Sequence, residues 1–412
     1  MTAHPTSLGE SVAAEPRRAG PVPFISIGIL ARNEEEAIGP MLDSLLQQSL
    51  FAELSERNLS CEILCVANGC TDNTVAVAKQ ILGAHSQRHP FRDRVSWQVL
   101  DVPARGKSNA WNLFVHTHAS RSSQFFFLMD ADIVIRRPAT LSNMYRALQA
   151  DPEAHVAVDE PIKDVSLKPG KSLRDRLSLA ASRMTRAGGA QLTGQLYCMR
   201  AGTARRIYLP RDLLVEDGFI KVLVCTDFLT RPTRPGRIVK AEDAAHVFEA
   251  YTSIKDLFNN QKRQVMAQTI THILVDNHLK ALPAYEKLRL ADRVRELERA
   301  DPRWLRRLVA DHLRRTRHCW RLFPELLTAR FKRLARLRGM HRLACLPAAL
   351  AGSCLMLAGS WMARRALKQG CLDYWPDTRS PRLQELGLRR GQGSDAGVLT
   401  AAVRRSSRQG SP

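Results

Sequence analysis

The stretch "FFFLMDADIVI", residues 125–135, constrains the fold more than any other part of the chain. Four apolar residues and a methionine run into Asp130, and Asp132 follows after a single alanine. An apolar run of this length is typical of a strand that is buried in a sheet. Because an unpaired buried carboxylate is costly, two carboxylates at the end of such a strand indicate a site with a specific partner, such as a cation.

Three further strand-like runs precede this one, at 24–30, 61–67 and 95–102. Helical patterns alternate with the strands, and they cover 34–49, 71–82, 107–116 and 140–149. This alternation predicts an α/β fold with a mainly parallel sheet flanked by helices. Since ligands of open parallel sheets bind beyond the carboxyl ends of the strands, we expect the polar residues that follow these strands to share one cleft.

The chain is strongly basic, with 62 Lys and Arg against 40 Asp and Glu and a formal net charge of +22. Such a surface attracts nucleic acid, anionic lipid or phosphorylated substrates, and charge alone does not choose between them. The nine cysteines include no C-x-x-C pair, which argues against a zinc module and a disulfide framework and favours a cytosolic main body. Residues 1–23 have no apolar signal-peptide core and are predicted to be a flexible tail.

Beyond about residue 280 the composition changes. Residues 281–342 are predicted to form basic amphipathic helices, because thirteen Lys and Arg but only two acids lie between 303 and 342. The last stretch, 379–412, is rich in Gly, Ser and Arg and is predicted to be disordered.

An apolar segment without charged residues lies between these regions, at 343–363, and with its flank it extends to 378. It is long enough to cross a bilayer, but Pro347, Gly352 and Gly359 interrupt it and basic residues flank both ends. The positive-inside rule would keep both ends in the cytosol. We therefore slightly favour monotopic attachment to an anionic membrane surface over a single membrane-spanning helix. A buried core helix is the alternative.

Three motifs carry candidate chemistry. The pair Asp130 and Asp132 suits a hard divalent cation, and Lys107, in "RGKSNAWN", stands at a helix start where phosphate binds well. In "LVEDGF", Glu216 or Asp217 could act as a general base. Each motif also has an ordinary structural explanation: a turn at the aspartates, a helix start at the lysine and a helix N-cap at the acidic pair.

The order of the motifs resembles the family 2 glycosyltransferases from about residue 24 to 265. The segments that carry the resemblance are "ILARNEE", "VANGCTDNT", "RGKSNAWN", "MDADIVI", "GQLYCMR", "LPRDLLVEDGF" and "NQKRQ". The resemblance implies a GT-A fold over 24–280, a nucleotide-sugar donor and inversion at the anomeric carbon of the sugar.

The same resemblance implies a role for each matching residue. Asp130 and Asp132 would bind Mg²⁺ or Mn²⁺, and Asp217 would be the catalytic base with Glu216 beside it. The residues implied in donor or nucleotide binding are Asn33, Glu34, Asn68, Asp72, Lys107 and Asp130. Those implied in contact with the acceptor or the diphosphate are Gln195 and Arg263.

Two departures from the family pattern matter. The processive members carry Gln-x-x-Arg-Trp, whereas this chain has Asn260, Arg263 and Gln264 at the corresponding places, which favours transfer of one sugar. At 67–70 the chain reads "ANGC" where Asp-Asp-Gly-Ser is frequent. Asn68 can still hydrogen-bond a uracil or ribose, and a UDP-sugar is the expected donor.

These expectations combine into a metal-dependent hexosyltransferase at the cytoplasmic face of the cell (inner) membrane. It would act on a lipid-linked or cell-surface glycan in polysaccharide biosynthesis for the cell envelope, and no nucleic-acid partner is expected. Two alternatives stay open: a nucleotidyltransferase, and a non-catalytic basic module of GT-A type that binds membranes or polyanions.

Overall fold

The computed structural model describes residues 21–172, 175, 179, 190–250, 254–315, 335 and 340–369. In this part of the chain eight strands form one sheet in the order β3-β2-β1-β4-β7-β6-β8-β5. The strands are β1 Ile25–Ala31, β2 Cys61–Asn68, β3 Val95–Val102, β4 Phe125–Asp130, β5 Ile133–Ile135, β6 Val156–Lys163, β7 Leu196–Arg200 and β8 Ile238–Phe248.

The predicted parallel arrangement is confirmed for β1 to β4, whose pairings with one another are all parallel. In the other half of the sheet β6 runs parallel to β8, but β7 runs antiparallel to β4 and β6, and β5 runs antiparallel to β8. Only Ala131 and Asp132 separate β4 from β5. Two residues cannot make the crossover that a parallel neighbour needs, so the chain turns away after Asp130 and β5 pairs at the far edge. The sheet is therefore mixed and curled.

Helices cover both faces of the sheet. They are α1 Ile38–Leu46, α2 Leu50–Glu56, α3 Thr74–Arg88, α4 Lys107–Leu113, α5 Thr140–Ala150, α6 Ala201–Arg205, α7 Glu216–Cys225, α8 Ile254–Asn277, α9 Ala284–Leu288, α10 Leu290–Ala300, α11 Trp304–Arg315 and α12 Met340–Lys368. Side chains of α1, α2, α3 and α5 form one apolar cluster with the sheet, and side chains of α4, α6, α7 and α8 form another on the opposite face. Strands buried between two such layers explain the near-continuous apolar runs in the sequence.

The basic helices α10 and α11 pack onto the second apolar cluster through Leu290, Val294, Leu305 and Val309. The predicted amphipathic helices are therefore present up to residue 315, and most of the remaining stretch to 339 lies outside the described residues. Asp212 accepts two hydrogen bonds from the Arg306 guanidinium, at 2.7 and 2.8 Å. This pair, in which Asp212 is buried and Arg306 is partly exposed, ties α11 to the loop that leads into α7.

Helix α12 contains the predicted apolar segment 343–363 and packs along α8. The two helices approach closely at Gly359, where a Cβ atom would come within 3.0 Å of the Gln261 side chain. Within the described ranges, no helix combines the length and the apolar character that a membrane crossing requires. The predicted disordered tail at 379–412 and all but the last three residues of the predicted tail at 1–23 lie outside these ranges.

Candidate active site

The predicted acidic site lies at the carboxyl end of β4. Asp130 is the last residue of this strand, and Asp132 directly precedes β5. The backbone N–H of Asp130 donates to the carbonyl of Gln195 at 2.9 Å, which anchors the strand end to the segment before β7. The two carboxylates therefore sit where the chain leaves one half of the sheet for the other.

Lys107 joins the elements of this site. Its Nζ lies 2.6 Å from Oδ1 of Asp130, 2.8 Å from Oε1 of Glu216 and 3.2 Å from the carbonyl oxygen of Gly194. These three contacts use all three donors of the ammonium group. The side chains are largely withdrawn from water, with 11% of Lys107, 15% of Asp130 and 4% of Glu216 exposed.

Gly194 makes this close approach possible. Its φ of +72° lies in the left-handed region, and a Cβ atom would stand 2.9 Å from Oε1 of Glu216. A side chain at this position would be strained and would push Glu216 away. The glycine in "TGQLYCMR" is therefore required by the packing of the ion cluster.

Burial and charge set the protonation of this cluster. Burial raises the pKa of Asp130 to about 7, although the Lys107 ammonium acts in the opposite direction. Burial lowers the pKa of Lys107, but the carboxylates of Asp130 and Glu216 outweigh it, and the net shift is upward. Burial also raises the pKa of Asp132. The lysine thus stays charged and supplies a fixed positive group beside two buried acids.

Glu216 and Asp217 are neighbours in the first turn of α7 but occupy different environments. Glu216 is held by Lys107, whereas Asp217 lines a cavity between α7 and α8. Oδ1 of Asp217 accepts a hydrogen bond from the backbone N–H of Gly218 at 2.5 Å. Burial raises the pKa of Asp217 to about 6, and the charge of Glu216 adds to this increase. The charge of Arg263 acts in the opposite direction but does not outweigh them.

The predicted donor-binding residues after β1 and β2 lie together. Asn33 accepts a hydrogen bond from the backbone N–H of Thr71 at 2.8 Å, and Asp72 accepts one from the backbone N–H of Glu35 at 3.1 Å. The backbone N–H of the buried Glu34 donates a hydrogen bond to the hydroxyl oxygen of Thr74 at 2.8 Å. These bonds tie the two loops into one wall of the cleft.

Asn68 links this wall to the start of α4. Its side-chain amide donates to the carbonyl of Ala31 at 2.9 Å, and its Oδ1 accepts from the backbone N–H of Gly106 at 3.1 Å. The residue is buried, so in this structure it positions the loops around Lys107. Its predicted contact with a nucleotide stays a prediction.

A buried histidine that the sequence analysis did not single out lies beside the acidic pair. Nδ1 of His246, on β8, is 2.8 Å from the Asp159 carboxylate, and its Nε2 is 3.3 Å from Oε1 of Gln195. His246 and Arg263 act electrostatically to lower the pKa of Asp132, but the effect of burial is larger and the net shift is upward. His246 and Asp159 stand 87 positions apart in the sequence, and no local sequence pattern indicates that they pair. Gln195 and Arg263 thus lie near the acidic pair, and their predicted contact with the acceptor or the diphosphate stays a prediction.

A divalent cation fits the chemistry of Asp130 and Asp132. Mg²⁺ in proteins takes one or two carboxylates and completes its shell with water and phosphate oxygens. Among the described residues, no three His, Cys, Asp or Glu side chains form a group that could hold a metal by themselves. Two carboxylates together with the oxygens of a bound diphosphate and water would supply the ligands that Mg²⁺ takes.

We predict that Lys107→Met destabilises the fold by about 3–5 kcal/mol, because removing one partner of a buried ion cluster leaves uncompensated charge. The free energy of unfolding is measured by urea denaturation at pH 7.5. The matched control is Lys79→Met on the exposed surface of α3, for which a change within about 0.5 kcal/mol is expected. Equal stability of Lys107→Met and the control would show that the cluster contributes nothing to folding.

Comparison with solved structures finds remote similarities. The chain is similar to S. aureus TarS 1-349 with 14% identity and a TM-score of 0.41, covering 85% of this chain and 93% of that one. It is also similar to glucosyl-3-phosphoglycerate synthase from Mycobacterium tuberculosis, solved with Mn²⁺, UDP-glucose and phosphoglyceric acid, with 17% identity and a TM-score of 0.37. That match covers 60% of this chain and 78% of the other. At such TM-scores neither structure supports a conclusion about the activity of this chain.

Comparison with protein families identifies the family of residues 26–205. No curated protein matches the sequence, but residues 26–205 match the family described as Glycosyl transferase family 2. This range includes the wall formed after β1 and β2, Lys107 and the Asp130–Asp132 pair, and it ends before Asp217 and Arg263. Residues 26–205 are a family 2 glycosyltransferase domain, which confirms the family predicted from the motifs and identifies the chain as a glycosyltransferase.

Proposed function

We propose that this enzyme is an inverting glycosyltransferase that moves one sugar from a UDP-sugar to a hydroxyl group of a lipid-linked or cell-surface glycan. Asp130 and Asp132 hold the donor diphosphate through Mg²⁺ or Mn²⁺, and Asp217 is the general base. The proposal includes attachment to the cytoplasmic face of the cell (inner) membrane.

One observation carries the assignment of the base. Glu216 and Asp217 are adjacent, but the Lys107 ammonium is 2.8 Å from Glu216, whereas Asp217 faces the cavity. A base must reach the hydroxyl whose proton it removes. Glu216 is 4% exposed and already paired, so an acceptor in the cavity meets Asp217 first.

The proposed reaction is a direct displacement. The carboxylate of Asp217 takes the proton of the acceptor hydroxyl, and the oxygen forms a bond to the anomeric carbon from the face opposite to the leaving group. The bond from this carbon to the diphosphate oxygen breaks, and its electron pair leaves with the nucleoside diphosphate. Attack from the opposite face inverts the anomeric configuration.

The reaction also requires stabilisation of the negative charge on the leaving group. Lys107 remains protonated because two carboxylates surround it, and it adds positive charge at the carboxyl end of β4. When bound at Asp130 and Asp132, Mg²⁺ or Mn²⁺ would stabilise the negative charge that develops on the diphosphate. Burial of both aspartates holds them in place before the donor arrives.

The two alternative functions differ in what they release or bind. A nucleotidyltransferase releases pyrophosphate, whereas a glycosyltransferase releases a nucleoside diphosphate. A non-catalytic polyanion-binding module would tolerate loss of the acids in the cleft. Incubation of the purified chain with Mn²⁺ and a panel of UDP-, GDP- and TDP-sugars distinguishes the three by the product formed.

We predict that Asp217→Asn lowers the rate of transfer by about 10²–10⁴-fold, the usual contribution of a general base, and leaves donor binding unchanged. The amide keeps the shape of the side chain but cannot accept the proton. Since the base acts only when deprotonated and its pKa is about 6, its protonation should lower the wild-type rate as the pH drops below 6. Nucleoside diphosphate release across pH 5–9 provides the measurement.

Glu216→Gln serves as the comparison for this prediction, because it changes the adjacent acid in the same way. If Asp217→Asn turns over like the wild type while Glu216→Gln is inactive, the base is Glu216 and the assignment is wrong by one residue.

The proposed membrane attachment is supported by the exposed face of α12. Leu346, Leu350, Leu357 and Trp361 are 39–59% exposed and follow one another at intervals of four, seven and four residues, which places them on one side of the helix. The other side, with Met356, Ala363 and Leu367, is buried. Arg365 lies 5.9 Å from the centre of the Trp361 ring, and a basic side chain beside a tryptophan suits a membrane–water interface.

We predict that the full chain sediments with vesicles of phosphatidylcholine and phosphatidylglycerol, and that 0.5 M NaCl releases only part of it. Salt screens the charges, but burial of the apolar stripe persists. Leu350→Glu should make the protein fully salt-extractable.

Leu288→Glu is the matched control, because Leu288 is 66% exposed on α9, away from the stripe. It should behave as the wild type. A wild-type chain that stays in the supernatant with these vesicles at low salt would contradict the membrane proposal.

A further inference from the structure

A groove starts at Asp217 and runs between α7 and α8. Its volume is about 730 Å³, which is within the range of small-ligand sites. Its far end is lined by Asp276 and Lys280 at the end of α8. Of the acidic cluster, only Asp217 lines the groove, so the groove meets the proposed donor site at the proposed base alone.

The walls of the groove offer neutral hydrogen-bonding groups. Side-chain amides and hydroxyls line it at Gln191, Gln264, Gln268, Thr226, Thr233 and Thr271. Amides and hydroxyls both donate and accept hydrogen bonds, as recognition of a chain of hydroxyl groups requires. No lining residue carries a phenyl, phenol or indole ring in the described part of the chain, and apolar side chains such as Val222, Ile238 and Val275 line the rest of the groove. The amides and hydroxyls would therefore supply the polar contacts to the ligand.

The charged groups in the groove differ in their ion-pair partners. At the far end, His272 and Lys280 both bind the carboxylate of Asp276. Lys221 also lines the groove, one helical turn after Asp217 on the same face of α7. Across the described ranges, no carboxylate lies within ion-pair distance of Lys221.

We propose that this groove binds the acceptor and that Lys221 pairs with a phosphate or carboxylate of the acceptor close to the reacting hydroxyl. This inference rests on the proposed function, because it takes Asp217 as the base. It narrows the substrate class to hydroxyl-rich acceptors with an anionic group. Lys221 binds and positions the acceptor and takes no part in the proton transfer to Asp217.

The position of α8 connects the groove to the rest of the molecule. Gln264, Gln268 and Thr271 of α8 face the groove, whereas Gln261 of the same helix contacts Gly359 of α12. Because Gln261, Gln264 and Gln268 follow one another at intervals of three and four residues, they share one face of α8, and the groove and α12 lie along the same side of this helix. The anionic group of such an acceptor can belong to a lipid headgroup or to a soluble phosphorylated molecule.

The test uses the full chain with UDP and the diamagnetic ion Mg²⁺ and measures binding of matched probes by saturation-transfer NMR: glucose against glucose 6-phosphate, and glycerol against glycerol 3-phosphate. Vesicles that contain phosphatidylglycerol, or phosphatidylcholine alone, form a third pair and distinguish a lipid headgroup from a free phosphate. The variants are Lys221→Ala and Gln268→Trp, in which the exposed Gln268 is replaced by a ring that fills the groove. Lys79→Ala on α3 is the matched control.

The wild type and the control should bind the phosphorylated probe of a pair more tightly, and Lys221→Ala should weaken this binding about tenfold, as loss of a hydrogen bond to a charged group does. Binding of the neutral probes should not change in Lys221→Ala. Gln268→Trp should weaken both members of each pair.

Equal binding of the two members of each pair, or unchanged binding in both groove variants, would overturn the proposal. Donor hydrolysis reports separately on the proposed function. If hydrolysis is present while the groove variants behave like the control, the acceptor site lies elsewhere and the assignment of the enzyme stands.

Discussion

The contacts of the Lys107 ammonium are the constraint on which the site depends. This one group joins the start of α4, the end of β4, the start of α7 and the turn at Gly194, through bonds to Asp130, Glu216 and the Gly194 carbonyl. Two buried acids close together would otherwise repel each other and resist ionisation. By binding Glu216, the lysine also separates the roles of two adjacent acids, because Asp217 is left to face the groove.

The fold was predictable where local pattern decides the structure. The apolar runs at 24–30, 61–67, 95–102 and 125–129 correspond to β1 to β4. Of these, β1, β2 and β4 are buried on both faces and leave a continuous apolar signal in the sequence, whereas β3 is a partly buried edge strand. The antiparallel pairings in the second half of the sheet were not predictable. The pairings of β4 with β7 and of β5 with β8 depend on contacts between distant segments, and the three residues of β5 are too few for a periodicity to indicate a partner.

The candidate site was predictable to a similar extent. The acids at strand ends and the lysine at a helix start could be placed in one cleft because parallel strands share a carboxyl edge. The ion contacts of Lys107 with both Asp130 and Glu216 could not be predicted, because their partners lie 23 and 109 positions away in the sequence. The same holds for the buried His246 and Asp159 pair. The cavity that distinguishes Asp217 from Glu216 arises only when α7 packs against α8.

The central claim is that Asp130 and Asp132 form a diphosphate site that a divalent cation completes. Calorimetric titration of UDP into the protein, with Mn²⁺ or with EDTA, tests it most directly. Asp132→Ala is the informative variant, since Asp130 also holds Lys107 and its loss would disturb the fold. The account predicts Mn²⁺-dependent binding of UDP to the wild type and its loss in Asp132→Ala with an unchanged circular dichroism spectrum. UDP binding of equal affinity in EDTA, or in Asp132→Ala, would contradict it.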